Sequence, residues 1–168
     1  TTFSISQSIV PLVDFNGYFK NFQDGFFRQI EFQRIDEFKS GDNLVAYVDF
    51  RGNLIVYDGE QKVNVSNMAV EYQVSDKLMT WVIGETLNMW DELGKRTLTF
   101  NVRGYWVKDD IIVFEDTRYN SVSAYYNGQI YPLYTSLGDF DAPDFIGENI
   151  VAFRDNGNFN KVFWNGKI

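Results

Sequence analysis

A pattern of residues recurs about every 35 positions, and this repeat constrains the fold of the chain more than any other feature. Each copy opens with two apolar residues and has a large apolar residue three positions after the first. In four of the five copies an aspartate follows two positions later. The opening pairs are Ile9-Val10, Leu44-Val45, Leu78-Met79, Ile111-Ile112 and Ile150-Val151, and their first positions are separated by 35, 34, 33 and 39 residues. Such a period predicts one supersecondary unit that is copied and stacked, because a single unit cannot bury its own apolar face.

Each copy is predicted to contain four strands, as the second copy illustrates. Apolar or alternating runs of strand length are separated there by turn-forming residues. The predicted strands cover residues 32–38, 44–48, 54–57 and 61–65. Asp49 opens one turn, where its side chain can accept backbone hydrogen bonds, and Asp58-Gly59 favours a type I′ hairpin turn, which needs positive φ at both residues. The copies therefore predict an all-β chain built from four-stranded antiparallel meanders.

The third predicted strand of each copy ends in an aromatic residue just before a turn. These residues are Phe22, Tyr57, Trp90, Tyr126 and Trp164, and the turns after them include Asp58-Gly59, Asn127-Gly128 and Asn165-Gly166. A series of meanders with this sequence pattern resembles the short blades of β-propellers of the quinoprotein type and of related propeller families. The resemblance covers the whole chain and implies about five blades around an axis. The alternative is a repetitive β-meander or solenoid.

The repeat also predicts how the chain is divided. We expect a single repeat domain over residues 1–168, with blades near 1–31, 32–68, 69–101, 102–141 and 142–168, the last one incomplete. A closed ring of five blades and a part of a longer propeller both fit this division, and we expect the closed ring.

Composition removes several function classes. With a net charge of −8 and no cluster of Lys or Arg, the chain is a poor partner for nucleic acid or an anionic membrane surface, and no apolar run is long enough to span a membrane. Cys and His are both absent, which excludes thiol nucleophiles, His bases and the usual zinc, copper and haem ligands. We therefore expect no enzyme activity, no cofactor and no metal. Because the chain begins at Thr1, a removed signal peptide is one explanation, which predicts a periplasmic or extracellular protein.

Polar residues on the innermost predicted strands are candidates for a ligand site, because those strands face the axis or its mouths. Those strands cover residues 2–6, 32–38, 69–74, 102–107 and 142–146. The candidates are Asp36, Glu71, Gln73, Arg103, Tyr105 and Asp144. Ligand binding at the axis is what the propeller resemblance implies, whereas a solvated channel would have the same residues. Asp36, Glu71 and Asp144 would be the acid and base of a glycosidase-like enzyme, if there were one.

The aromatic clusters are candidates for partner binding. Phe26, Phe27, Trp106, Tyr131 and Tyr134 lie in clusters that exceed what a blade core requires, and an exposed cluster would bind a protein partner or a sugar ring. We expect one of the clusters to be exposed.

The aspartates are expected to be structural. Asp14, Asp49, Asp116 and Asp155 recur at one place in the repeat, which favours turn capping over a ring of ligands. The insertion between residues 135 and 148 adds Asp139, Asp141, Asp144 and Glu148. It lacks the residue order of a calcium-binding loop and is predicted to be a solvated acidic loop.

The sequence thus predicts a non-enzymatic, protein-binding scaffold propeller. A carbohydrate-binding, lectin-like propeller and a glycosidase-like propeller that uses carboxylates are the alternatives, so a glycan is a second candidate partner. The Asn-, Phe- and Tyr-rich, Cys-free composition resembles that of cell-envelope proteins of Bacteroidota. That resemblance implies a subunit of an envelope or secretion complex, for example a plug or accessory subunit of a type IX translocon.

Overall fold

The computed structural model describes residues 2–3, 8–137 and 142–168, and these residues form nineteen β-strands and no helix. The first two sheets comprise β1 (Thr2–Phe3), β2 (Val10–Val13), β3 (Phe19–Gln23), β4 (Phe26–Glu31), β5 (Phe38–Ser40), β6 (Val45–Val48), β7 (Leu54–Tyr57) and β8 (Lys62–Ser66). The third comprises β9 (Tyr72–Val74), β10 (Met79–Ile83), β11 (Thr86–Asp91) and β12 (Gly94–Thr99). The last two comprise β13 (Val102–Lys108), β14 (Ile111–Asp116), β15 (Ser121–Tyr126), β16 (Gln129–Thr135), β17 (Phe145–Gly147), β18 (Ile150–Arg154) and β19 (Asn160–Trp164).

Each sheet is a meander in which consecutive strands are neighbours. The first, second, third and fourth sheets have four strands each, and the fifth has β17, β18 and β19. Pairing in the first, second, fourth and fifth sheets is antiparallel throughout. The predicted all-β fold with about five short blades is confirmed. We call the five sheets blades 1 to 5.

Three predicted innermost strands are shorter than expected. In blade 2 the prediction of a strand over residues 32–38 is wrong, since β5 begins only at Phe38. The segment before it is bent, yet Ile35 is buried in the core while Phe32 is exposed. Ile35 fills a core position from a loop, so the alternation of apolar and polar residues in this segment does not correspond to a strand. In blades 3 and 5 the first strands likewise begin at Tyr72 and Phe145 instead of 69 and 142.

The recurring aspartates cap turns, as predicted. In blades 1, 2 and 5 the aspartate Oδ1 accepts hydrogen bonds of 2.9–3.0 Å from the backbone N–H groups two and four residues later. Asp116 Oδ1 accepts one of 2.8 Å from Arg118 N–H. The third residue after the aspartate has positive φ in each of the three blades: Gly17 (+86°), Gly52 (+83°) and Asn158 (+64°). The carboxylate closes the turn and the left-handed residue reverses the chain.

One turn prediction is wrong. Gly59 has a φ of +96°, but Asp58 does not have positive φ, so Asp58-Gly59 is not a type I′ turn. The Asp58 carboxylate accepts hydrogen bonds of 2.9 Å from the N–H groups of Glu60 and Gln61 and closes a different turn. Asn127-Gly128 and Asn165-Gly166 do have positive φ at both residues, which matches their hairpin signal.

The chain divides into two compact units. Unit 1 comprises residues 1–79 and 90–92, and unit 2 comprises residues 80–89 and 93–168. In unit 1 the core includes Ile9, Phe19, Ile30, Ile35, Val45, Tyr47, Ile55 and Tyr57. In unit 2 it includes Ile111, Val113, Val122, Ala124, Leu133, Val151, Phe153 and Phe163. Each core joins strands of two consecutive blades, which is how a short blade buries the face that it cannot cover alone. The predicted single domain, its blade bounds and ring closure stay predictions.

Candidate functional site

Blade 1 exposes three phenylalanines on its outer hairpin. Phe26 and Phe27 of β4 are 70% and 66% exposed, and Phe22 of β3 is 36% exposed. Phe22 and Phe27 are cross-strand partners, and their ring centroids lie 4.9 Å apart. Since successive side chains of a strand point to opposite faces, Phe26 lies on the other face of the sheet. We call these three residues, with the outer strand that carries two of them, the β4 surface.

The other aromatic candidates are half-buried and belong to the core of unit 2. Trp106, Tyr131 and Tyr134 pack against its buried residues. The Tyr131 ring lies 5.0 Å from that of Phe163, and the Tyr134 ring is stacked 5.6 Å from that of Phe153. These contacts leave Phe26 and Phe27 as the aromatic candidates with the largest free area. Whether any of the five binds a partner stays a prediction.

An open cleft of about 390 Å³ lies in unit 1 between the Asp14 turn and the segment that leads to β5. We call it the Asp14 cleft. Its walls are Val13, Asp14, Phe15, Asn16, Gly17, Arg34, Ile35, Asp36, Glu37 and Phe38. Phe15 at its rim is 88% exposed, and Arg34, Asp36 and Glu37 are exposed as well. The cleft therefore combines charges of both signs with an aromatic edge.

Unit 2 contains a cleft of similar size beside the corresponding turn of blade 5, with a volume of about 360 Å³. We call it the Asp155 cleft. It is lined by Tyr134, Thr135, Leu137, Ala142, Pro143, Asp144, Arg154, Asp155, Asn156 and Asn158. Asn156 fixes one wall, since its amide exchanges hydrogen bonds of 2.9 and 3.0 Å with the Thr135 backbone. Like the Asp14 cleft, it holds an exposed Arg and an exposed Asp beside a capped turn.

A third cleft, of about 340 Å³, also belongs to unit 1. Gln23, Asn43, Leu44, Asp58, Glu60, Lys77, Trp90 and Glu92 line it. Its carboxylates outnumber its one lysine, and Trp90 is buried. Because little of the indole ring is accessible, this cleft offers a ligand less aromatic surface than the Asp14 cleft does.

The six predicted ligand residues lie in different settings. Asp36, Glu71 and Asp144 were expected on innermost strands, but each lies one or two residues before its strand and is exposed. Asp36 lines the Asp14 cleft and Asp144 the Asp155 cleft, whereas Gln73 is exposed on β9. These placements neither assign nor remove a ligand role.

Arg103 and Tyr105 lie on β13, where the register with β14 shifts between Val102 and Tyr105. Arg103 Nη1 is 3.5 Å from Oε1 of Glu115, which is buried. Ser136 Oγ donates a 2.8 Å hydrogen bond to the same oxygen. Arg103 lies within this irregular stretch, and a cationic partner stabilises a carboxylate that is buried. Glu115 could not be singled out from the sequence, because it directly follows the apolar run Ile111–Phe114 and resembles an ordinary continuation of that strand.

Two of the aspartates that line the clefts have lowered pKa values. A side-chain hydrogen bond from Lys20, whose Nζ lies 2.8 Å from Asp14 Oδ2, lowers the pKa of Asp14, and the backbone donors of the turn add to this. The backbone N–H of Phe159 and the side chain of Lys161 lower the pKa of Asp155 in the same way. Both carboxylates stay ionised near neutral pH and already accept hydrogen bonds from their own turns. They are therefore poor proton donors to a ligand.

Two buried tyrosines are structural. Desolvation, and then the hydrogen bond of 2.7 Å to Glu31 Oε1, raise the pKa of Tyr47 far above its ordinary value. Desolvation, followed by the charge of Glu37, raises the pKa of Tyr72 to about 12. Both phenols stay protonated near neutral pH, which gives no sign of a tyrosine base.

Series of short antiparallel meanders with buried faces shared between neighbours define the chain as a β-propeller repeat protein. Residues 3–168 match the family described as the 10-bladed beta propeller domain, and the chain belongs to that family. No curated protein sequence matches the chain. Within the described residues, no helix has the length and apolar character needed to cross a bilayer.

Solved structures give fold likenesses. The computationally designed Ika8 protein is 20% identical, with 99% of this chain and 58% of Ika8 covered and a TM-score of 0.42. The computationally designed Ika4 protein is 21% identical, with coverage of 74% and 88% and a TM-score of 0.43. Human WBSCR16 is 8% identical, with coverage of 99% and 62% and a TM-score of 0.49.

Proposed function

We propose that the chain is a non-enzymatic binding propeller whose protein partner docks on the β4 surface. The observation that carries this proposal is the exposure of Phe22, Phe26 and Phe27 on one outer hairpin. Phenylalanine side chains gain free energy when they leave water, about 25 cal/mol for each Å² of apolar area buried, so a partner that covers three of them gains stability. Aromatic residues are also enriched at the centres of protein interfaces.

The outer strands of blades 2, 3 and 4 are more polar. Their exposed positions are Lys62 and Asn64 on β8, Lys95 and Thr97 on β12, and Gln129, Ile130, Pro132 and Thr135 on β16. Lysine and proline on an outer strand discourage pairing with another chain. Only β4 among these four strands exposes adjacent phenylalanines. The β4 surface therefore differs from the outer strands of blades 2, 3 and 4, none of which exposes a phenylalanine.

The arrangement favours a partner that covers the strand edge. Phe26 and Phe27 lie on opposite faces of β4, so a partner reaches both only by wrapping around that edge. Among the described residues β4 pairs with β3 alone, which leaves its other side able to receive an added strand. Lys62 Nζ already donates a 3.0 Å hydrogen bond to the Ile30 carbonyl, so addition is limited to residues before Ile30. With a net charge of −8 on the chain, a basic rim on the partner would favour association.

We further propose that this partner belongs to a cell-envelope or secretion complex, such as a type IX translocon in which the chain is a plug or accessory subunit. The protein would then act in the periplasm or outside the cell. The support is compositional: the chain is rich in Asn, Phe and Tyr and lacks Cys.

The double variant Phe26→Ser/Phe27→Ser tests the docking proposal. Affinity purification of the tagged protein from cross-linked envelope fractions should recover a stoichiometric partner with the unaltered protein and lose it with the variant, a fall of about tenfold or more. The control is Phe50→Ser/Phe100→Ser, which removes two other exposed phenylalanines and should retain the partner. Equal recovery with both double variants would contradict docking at β4. A partner found only in the cytosol would contradict the envelope assignment alone.

A further inference from the structure

We propose that the Asp14 cleft and the Asp155 cleft each bind a neutral saccharide. This inference does not depend on a protein partner at the β4 surface, which lies outside the walls of both clefts. Each cleft falls within the range of about 300–1,000 Å³ that small-molecule sites occupy, and each belongs wholly to one unit.

The charged groups of the Asp14 cleft are available to a ligand. Arg34 and Asp36 are exposed and form no hydrogen bond or ion pair among residues 2–3, 8–137 and 142–168. The turn positions Arg34: a Cβ on Gly17 would lie 3.5 Å from Arg34 Cγ, so the apolar stem of the arginine crosses close to the glycine. The Asp14 carboxylate already accepts hydrogen bonds from its turn and pairs with Lys20, so it lines the cleft without contacting the ligand.

The mixture of charges selects against ionic ligands. A cation would meet the Arg34 guanidinium, and an anion would meet Asp36 and Glu37. A purely apolar ligand would desolvate all three groups without pairing them. A hydroxyl-rich neutral molecule avoids each cost, because a hydroxyl can donate to a carboxylate and can accept from a guanidinium.

The rim supplies the second requirement of a sugar site. Phe15 stands beside the charged groups with most of its ring in water. The ring carbons of a pyranose present C–H groups on one face, and an aromatic ring can cover that face while the hydroxyls at its edge reach polar side chains. The Asp14 cleft thus has both an exposed aromatic ring and a donor–acceptor pair among its lining residues.

An exposed arginine and an exposed aspartate beside a capped turn recur in the second cleft, where the aromatic residue of the wall, Tyr134, is half-buried. In unit 2 the Asp155 cleft again pairs an arginine, Arg154, with an aspartate, Asp144, beside a turn of the same design. Neither side chain forms a hydrogen bond or ion pair within the part of the chain that the structure describes. The arginines come from different positions of the repeat, Arg34 from the segment after blade 1 and Arg154 from the end of β18. Copying of the turn alone therefore does not explain the recurrence.

Nuclear magnetic resonance titration of the whole protein tests the inference. The probes are maltotriose, cellotriose and mannotriose, followed by a broad array of neutral glycans, with 3′-sialyllactose as the anionic comparison. At least one neutral glycan should give saturable shifts at residues 14–17 and 34–38 and at residues 142–144 and 154–158.

Variants then separate the two clefts. Arg34→Ala/Asp36→Ala should weaken binding at the first cleft by about fivefold or more and leave the second unchanged, and Asp144→Ala should do the reverse. Glu60→Gln, in the third cleft, is the matched control and should change neither. Binding by no neutral glycan, preference for the anionic one, or affinities unaffected by the variants would each overturn the proposal.

Discussion

Blades 1 and 2 have the same turn and share one core, but their outer strands differ. In both blades an aspartate, Asp14 or Asp49, caps the turn between the second and third strands, and a glycine with positive φ follows three residues later. The outer strand β4 exposes Phe26 and Phe27, whereas β8 exposes Lys62 and Asn64. What the blades share maintains the fold. What differs between them is the better guide to function, because folding alone does not require it.

The largest expected effect concerns the shared core. Phe19 of β3 is fully buried between the blades, with its ring 4.8 Å from that of Tyr47 and 5.3 Å from that of Phe38. Phe19→Ala should lower the free energy of unfolding by about 3–5 kcal/mol, since it removes apolar contact and leaves a cavity. Phe26→Ala, in the same hairpin, should change it by less than about 0.5 kcal/mol. Urea denaturation of both variants measures the contrast, and similar losses would mean that β4 is structural after all.

A smaller effect is expected at the shared turn. Gly52 has a φ of +83°, and no atom lies within 4 Å of the position of an added Cβ. Gly52→Ala therefore isolates backbone strain from crowding and should cost about 1–2 kcal/mol. Phe50→Ala, two residues earlier and exposed, is the control and should leave stability within about 0.5 kcal/mol. If thermal unfolding of Gly52→Ala matched that of the control, the turn would tolerate a different conformation.

The smallest effect concerns a difference within the turns. Asp14 has Lys20 beside it and its pKa is lowered in the folded protein. The stability that it contributes is therefore present above the unfolded-state pKa of about 3.9 and is lost as the pH falls through the folded-state pKa. Lys20→Gln should raise the pKa of Asp14 toward its ordinary value, as carboxyl carbon resonances measured against pH would show. Unchanged titration would mean that the backbone donors alone hold the carboxylate ionised.

Fold and turns were largely predictable from the sequence, and the surface was not. The recurrence of Asp14 and Asp49 at one place predicted capping, since hydrogen bonding between residues close in the chain follows from local sequence. The prediction of a strand over residues 32–38 was wrong. Ile35 is buried because it packs with residues of blade 2, and this burial does not require a strand. Asp36 was named as a candidate on an incorrect strand, and Arg34 and Phe15 were missed beside it. No local signal distinguishes a charged residue at a cleft from one in open solvent.

The sequence alone determined the period, the strand-rich meanders, the capped turns and the absence of His and Cys chemistry, because each depends on residue identity or on neighbours within one hairpin. Tertiary structure decided which aromatic residues are free. Tyr131 and Tyr134 pack on the buried residues Phe163 and Phe153 of the next blade, whereas Phe27 contacts only the exposed ring of Phe22 in its own hairpin, and Phe26 and Phe27 remain largely exposed. It also decided that Asp36 and Arg34 share a cleft with the Asp14 turn. Burial depends on what other parts of the chain cover, and a linear pattern does not contain those distances.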